Sequence, residues 1–294
     1  MDPSGPVGML AAAASSLLGG SAVAFTRLAV KSVDPLTVAA IRYGLAGLCL
    51  LPVLFLMRLP LGPRNWPMIA LLALMFFALF PYLFTTGLSH TTAARGALAL
   101  ATMPIQTMLL GAALGIERLT WRKLLGVALA FSGVALALWR SLDAAAPPQA
   151  FKGDLYMALT AFFGAWFNVA AGRYLRRVPA LLFTAGGSLL GAAVMAAAAA
   201  ASGGLALGRI EAEAWWALAY LGVIGGALTF FLWNFALERA SPTRVAVAVG
   251  LNPVAAMLLG TVLVDEPLTG ALVLGAALVI AGIGLANWTG RRTA

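Results

Sequence analysis

The sequence predicts an all-α membrane protein: ten transmembrane helices arranged as two inverted five-helix repeats, with the N and C termini both cytoplasmic. Three observations predict it. The first is composition. Of 294 residues, 62% are hydrophobic and 10% charged, giving a mean hydropathy of +0.96, whereas soluble domains carry roughly 25% charged residues. A water-soluble fold of this size cannot hide so much apolar surface behind so few charges. The second is spacing: apolar stretches of about 20 residues, the length that crosses a bilayer, recur ten times. The third is internal similarity between the two halves of the chain.

In chain order the stretches are 7–29, 35–57, 66–88, 93–114, 121–139, 154–174, 180–201, 215–237, 242–264 and 268–288. Turn and charge residues separate them, among them Asp34-Pro35, Gly62-Pro63-Arg64, Glu117-Arg118, Gly203-Gly204 and Asp265-Glu266-Pro267. A break at 141–151, containing Pro147 and Pro148, serves as a linker between a first repeat at 1–140 and a second at 152–294. The amino end has no basic n-region of the kind that opens a secretory signal, so 7–29 reads as the first helix. With the amino terminus cytoplasmic, that side receives twelve Lys and Arg residues and the opposite side six, as the positive-inside rule requires. Arg42 is left inside the second span, where it reads as snorkelling to the interface.

The same inventory excludes several function classes. Nineteen Lys+Arg against ten Asp+Glu give a net charge of +9, but the charges are dispersed, so no nucleic-acid partner is expected. The single cysteine, Cys49, sits in an apolar run and can build neither a disulfide framework nor a thiolate cluster. One histidine, and no acid in the middle of any span, leave no Ser/His pair, diphosphate-binding carboxylate cluster or zinc set. The expectation is a non-enzyme with no cofactor and no metal.

Adding 149 to the first-half numbers carries Trp66 onto Trp215, Arg95 onto Arg244, Pro104 onto Pro253, Glu117 onto Glu266, Gly126 onto Gly275 and Gly133 onto Gly282. Met108-Leu109-Leu110-Gly111 recurs unchanged as Met257-Leu258-Leu259-Gly260. Nearer the start the offset is 144, pairing Gly20 with Gly164 and Pro35 with Pro179. Five spans per half is an odd number, so the second half enters the membrane from the opposite face. Inverted repeats are the architecture of alternating-access carriers, with cargo bound near the midplane between the halves.

The segments Gly115-Ile116-Glu117-Arg118-Leu119-Thr120 and Val264-Asp265-Glu266-Pro267-Leu268-Thr269 each lead into Leu-Gly and a second Gly seven residues on. With Pro35 and Arg42, and with Ser241-Pro242-Thr243-Arg244 leading to Pro253, they resemble the EamA-domain repeat. The resemblance covers nearly the whole chain and implies a ten-helix member of the drug/metabolite transporter superfamily, similar to bacterial amino-acid and metabolite exporters of the YddG type. It also implies a cavity lined by spans three, four, six, eight and nine together with the first, which brings Ser21 into range.

Polar residues inside spans face the protein interior or water, and their phase marks the wet faces. Tyr82, Thr85, Thr86 and Ser89 share one face of span three; Thr102 and Gln106 share one on span four. Span six carries Gly164, Asn168 and Gly172 at every fourth position, with Trp166 nearby; span eight carries Thr229, Trp233 and Asn234; span nine carries Asn252 before Pro253. Each hydroxyl or amide reads equally as helix glue or as cargo contact, with Gln106 and Asn252 the stronger cargo candidates. Pro104 and Pro253 remove backbone donors and mark bends that serve as hinges or as tolerated kinks. Arg95 and Arg244, at the amino ends of spans four and nine, are gate candidates or snorkelling cations. His90, the lone histidine, is the candidate for proton coupling or an ordinary surface residue. Thr120 and Thr269 read as helix N-caps.

The halves differ in pocket chemistry: at the 149 offset Gln106 meets Ala255 and Asn252 meets Met103. An unsymmetrical cargo needs such a difference. The expected function is export of small organic metabolites, amino acids above all and aromatic or hydrophobic ones among them, by alternating access across a bacterial-type inner membrane. The small-molecule cargo and the lipid bilayer are the expected partners. The alternatives are a multidrug or cationic-compound carrier, a purine or nucleotide-type carrier, and a passive channel.

Overall fold

The computed structural model describes residues 4–57, 66–142, 148–175, 178–203, 210–255 and 270–288. Every regular element among them is helical. Among the described residues, seven segments are long and apolar enough to cross a membrane: Pro6–Val23, Pro35–Leu56, Trp66–His90, Arg95–Ala113, Ala150–Gly172, Ala180–Ala201 and Ala214–Arg239. Their outward faces stay apolar, with Leu56 83% and Trp216 79% exposed, a surface only lipid tolerates over this area.

Helix α1 (Ser4–Ala29) is followed by a turn that ends at Asp34, whose Oδ1 accepts hydrogen bonds from the Leu36 and Thr37 amides at 3.1 and 3.0 Å. This acidic cap, with Pro35 in the first helical position, fixes the start of α2 (Pro35–Met57). The third span is interrupted: α3 (Trp66–Leu74) passes through a π turn at Met75–Leu79 into α4 (Phe80–His90). Thr92 caps α5 (Ala93–Leu100) by accepting the Arg95 amide at 3.3 Å. The chain then breaks and restarts as α6 (Met103–Ala113), with Pro104 in its first turn. Pro104 therefore stands in the first turn of a helix, where its missing donor costs nothing, and not at a kink inside one.

Helix α7 (Trp121–Leu142) closes the first half; α8 (Ala150–Tyr174) and α9 (Ala180–Ala201) open the second. The eighth predicted span repeats the interruption of the third: α10 (Ala212–Gly222), a π turn at Val223–Leu228, and α11 (Thr229–Arg239). Next come α12 (Pro242–Val247), a 3-10 turn at Ala248–Gly250 and helical residues 251–255. The predicted remainder of that span to 264, and the loop with Glu266 and Thr269, lie outside the described residues. Helix α13 (Gly270–Asn287) is the last.

Packing mirrors the internal similarity. Helix α2 lies on α9, and α7 on α13; α1 packs against α10 and α11, as α8 packs against α4. The α7–α13 seam is close along its length. A Cβ on Gly126 would sit 2.7 Å from the Gly282 carbonyl oxygen, and one on Gly133 2.6 Å from that of Gly275. Contacts that ascend one helix descend the other, so the two run antiparallel. Only glycine allows backbones so near.

Polar ties join the halves at the ends of the helices. The Arg95 guanidinium pairs with the Asp154 carboxylate, its Nε 3.1 Å from Oδ2, and the Thr91 hydroxyl donates to Oδ1 at 2.7 Å. Glu117 accepts the Thr243 amide at 3.1 Å, in the first turn of α12, and takes a second hydrogen bond from the Lys123 ammonium. Thr120 caps α7 through a long contact, 3.4 Å, from the Lys123 amide.

Candidate functional site

Between the halves lies a cavity of about 100 Å³. Helix α1 lines it with Ser15, Ser16, Gly19 and Val23, and α2 with Arg42 and Tyr43. The third span gives Phe76, Phe80, Pro81 and Phe84; Leu100 and Met103 flank the α5–α6 break; α8 gives Gly164 and Asn168. Thr229, Phe230 and Trp233 come from α11, with Val249 and Asn252 beyond α12. At the 149 offset the walls are made of equivalent positions: Phe80 and Thr229, Pro81 and Phe230, Phe84 and Trp233, Leu100 and Val249, Met103 and Asn252 all line it. The first-half member is apolar in each pair, while the second half contributes a hydroxyl, an indole and an amide.

The aromatic wall is built on a buried cluster. Phe76 stacks on Phe167 at 3.7 Å, and meets Phe77 and Phe230 edge-on at 5.3 Å each. The π turn that carries Phe76 sets this register, since it adds a residue to the helical turn and rotates the next turns of the helix. Asn168 is fully buried and holds Trp233: its Oδ1 accepts the indole N–H at 3.0 Å, and its Nδ2 lies 3.6 Å from the Met103 sulfur. The Ser15 hydroxyl donates to the Thr229 carbonyl at 2.8 Å. Asn252 packs under Gly20, where a Cβ would fall 2.2 Å from the Asn252 carbonyl oxygen.

Among the described residues, three polar atoms around the cavity are buried without a hydrogen-bond partner: Ser16 Oγ, Arg42 Nε and Asn252 Oδ1. Arg42 does not snorkel. It is 6% exposed, its Nη2 donates to the Gly225 carbonyl at 2.6 Å, and its guanidinium carbon lies 5.5 Å from the centre of the Tyr43 ring and 5.6 Å from that of Phe230. Gly225 belongs to the second π turn, a conformation that takes carbonyls off the regular helical ladder and leaves them free to accept.

The structure thus brings Asn168, Trp233 and Asn252 together at the cavity and sets the other candidates elsewhere. Ser21 donates to the Leu18 carbonyl at 2.7 Å and meets the Tyr220 hydroxyl. Thr85 is buried and bonded back to the Pro81 carbonyl at 2.8 Å; Tyr82 packs beside Ala39, Ala40, Ala78 and Met195. Thr102 bonds the Ala99 carbonyl and receives Gln106 Nε2 at 2.9 Å, while Gln106 Oε1 is buried without a partner. Asn234 donates to Thr184 at 2.9 Å, and Trp166 packs on the outside of the aromatic core. Pro104 and Pro253 are buried beside the cavity but do not line it. Arg95 is in the ion pair with Asp154; Arg244 is half-buried near the start of α12, its Nε without a partner among the described residues. His90 lies at the end of α4, with Nδ1 2.9 Å from both the Ser89 hydroxyl and the Thr86 carbonyl. Sequence reasoning left span two out of the cavity. The signal was present, a lone guanidinium two helical turns inside an apolar run, but the snorkelling reading absorbed it.

The chain is similar to known proteins in sequence and in fold. The chain is 28% identical over 279 residues, 85% of this chain and 86% of the relative, to a protein of Streptantibioticus cattleyicolor described as a probable terminal-alkyne amino-acid exporter. It is 27% identical to a probable amino-acid metabolite efflux pump of Escherichia coli (strain K12), with 87% of each chain covered. A crystal structure superposes with a TM-score of 0.82 at 22% identity, over 96% of each chain, and so has the same fold. The EamA-like transporter family model matches twice, at residues 6–139 and 151–288, and the chain accordingly belongs to the EamA-like transporter family.

Proposed function

We propose that this membrane transporter is a secondary carrier that exports small organic metabolites, amino acids above all, by alternating access across a bacterial-type inner membrane. Ten spans form two inverted five-helix repeats, 1–140 and 152–294, with both termini cytoplasmic. The observation that carries the reading is the cavity whose walls pair equivalent residues of the two halves. A site on the axis that relates the halves can face either compartment as one half rocks against the other. Support for inversion comes from α7 and α13, equivalent helices that pack antiparallel through exchanged glycines. The double family match supports the division at the linker, and the names of two relatives support amino-acid cargo.

The cavity chemistry agrees with a small amphipathic cargo. Phe76, Phe80 and Phe84 offer ring faces to an apolar side chain, and the unpartnered atoms of Ser16, Arg42 and Asn252 offer hydrogen bonds to its polar end. Counterflow in proteoliposomes tests this. Vesicles loaded with one unlabelled compound receive the same compound radiolabelled, across a panel of amino acids, purines and cationic drugs. The expected result is trans-accelerated uptake of an amino acid. Acceleration by a purine or a cationic drug alone overturns the cargo, and uptake that ignores the trans side identifies a pore.

A further inference from the structure

We propose that Arg42 is the anion anchor of the cavity, the group that takes the carboxylate of the cargo. The proposal rests on the carrier reading above and deepens it, by naming which end of the cargo meets which side chain.

Arg42 carries a full positive charge at a position 6% exposed. A charge buried that deeply is paired or it is costly. Its partners among the described residues are one carbonyl, Gly225 at 2.6 Å, and the faces of Tyr43 and Phe230. All three are neutral, and none of the ion pairs formed by described residues includes Arg42. The guanidinium is thus held in place from one side while Nε remains buried without an acceptor, at the cavity wall. Among side chains, a planar fork of this kind is the best match to a carboxylate, whose two oxygens it engages at once. Asn252, which also lines the cavity, has in Oδ1 an acceptor without a donor among the described residues, suited to an ammonium. One cation and one amide acceptor lining the same cavity distinguish the two ends of a zwitterion.

A purely structural role, tying α2 to the second π turn, accounts for the bond to Gly225 but not for the unused Nε. The two roles separate in an experiment with four probes that differ by one group: L-leucine, L-leucine methyl ester, L-leucinol and 4-methylpentanoate. Ligand-induced thermal stabilisation of the purified full chain in detergent gives the affinities for wild type, Arg42→Gln and Arg42→Lys. Wild type is expected to bind leucine and 4-methylpentanoate at least tenfold more tightly than the ester or leucinol. Arg42→Gln is expected to erase that ratio, and Arg42→Lys to keep part of it. A structural role would lower the unfolding temperature of both variants and leave the ratio intact.

The anchor is overturned if wild type binds leucinol as tightly as leucine, if Arg42→Gln keeps the ratio, or if neither carboxylate binds wild type. Binding of 4-methylpentanoate without leucine supports the anchor and overturns amino-acid cargo. Equal binding of leucine and leucinol does the reverse. If Arg42→Gln fails to fold, Arg42→Lys decides: a reduced ratio supports the anchor and an unchanged ratio overturns it.

Discussion

Glu117 joins the two halves with a single carboxylate. Burial pushes its carboxyl up, but hydrogen bonds from the Lys123 ammonium and from Thr243 outweigh it and hold the group below the usual carboxylate range. A depressed value means that the folded state binds the proton less readily than the unfolded chain. The contribution is therefore complete above the unfolded value of about 4.3 and fades as pH falls through the folded one. Glu117→Gln is expected to cost about 1–3 kcal/mol at pH 7. Thermal unfolding of both proteins in detergent should show a gap that is constant above about pH 5 and narrows on further acidification. The Asn168–Trp233 hydrogen bond calls for a different test, because both partners are buried. Asn168→Leu strands the indole N–H, at a cost of about 1–3 kcal/mol. In Trp233→Phe no donor remains to strand, so the double variant should cost less than the sum of the two, and additivity would show that the pair is uncoupled.

At the level of helices, the α7–α13 seam makes a strict demand on sequence. A methyl group on Gly133 would sit 2.6 Å from the Gly275 carbonyl oxygen and 2.9 Å from the Val279 amide nitrogen, both of them backbone atoms that cannot turn aside. Gly133→Ala should destabilise by about 1–3 kcal/mol through overpacking. On the partner helix, a Cβ at Gly284 meets nothing within 4 Å, so Gly284→Ala should be neutral or gain up to about 1 kcal/mol in helix propensity. Unfolding temperatures in detergent, read side by side, check both. Hydropathy and helical phase made most helix limits legible: α2 and α9 run over 35–57 and 180–201 as expected. The π turns at Met75–Leu79 and Val223–Leu228 were not legible, because hydrogen-bond register leaves no mark on composition. For the same reason phase alone left several polar side chains open between helix glue and cargo contact. Thr85 and Thr102 occupy polar faces, yet each hydroxyl is satisfied by a carbonyl of its own helical turn. Asn168, Trp233 and Asn252 were legible because an amide or an indole at mid-span needs a partner from another helix.

Across the whole molecule, two of the contacts between the halves contrast in kind. The α7–α13 seam is backbone on backbone, and its loss would leave two apolar helix faces unpacked. The Arg95–Asp154 tie is different: its side chains are 33% and 26% exposed, so water can replace each partner, and such a pair is worth about 0.2–1 kcal/mol. A carrier that rocks must open along contacts of the second kind and pivot on the first. Beneath the ion pair lies Leu88, 3% exposed, against the position of Gly96. Asp154→Asn removes the charge that holds α5 to α8 and should shift the population toward opening at that end. With Cys49→Ala removing the one native thiol, Leu88→Cys is the reporter. A membrane-impermeant maleimide applied from the Arg95 side should label it several-fold faster when Asp154 is Asn. An α7–α13 reporter, Val134→Cys (0% exposed), should label slowly with either residue at 154. If both reporters accelerate together, the loss of Asp154 has loosened the whole fold. If neither does, the ion pair is not the part that opens, and motion must begin at the Glu117–Thr243 end of the halves' contact.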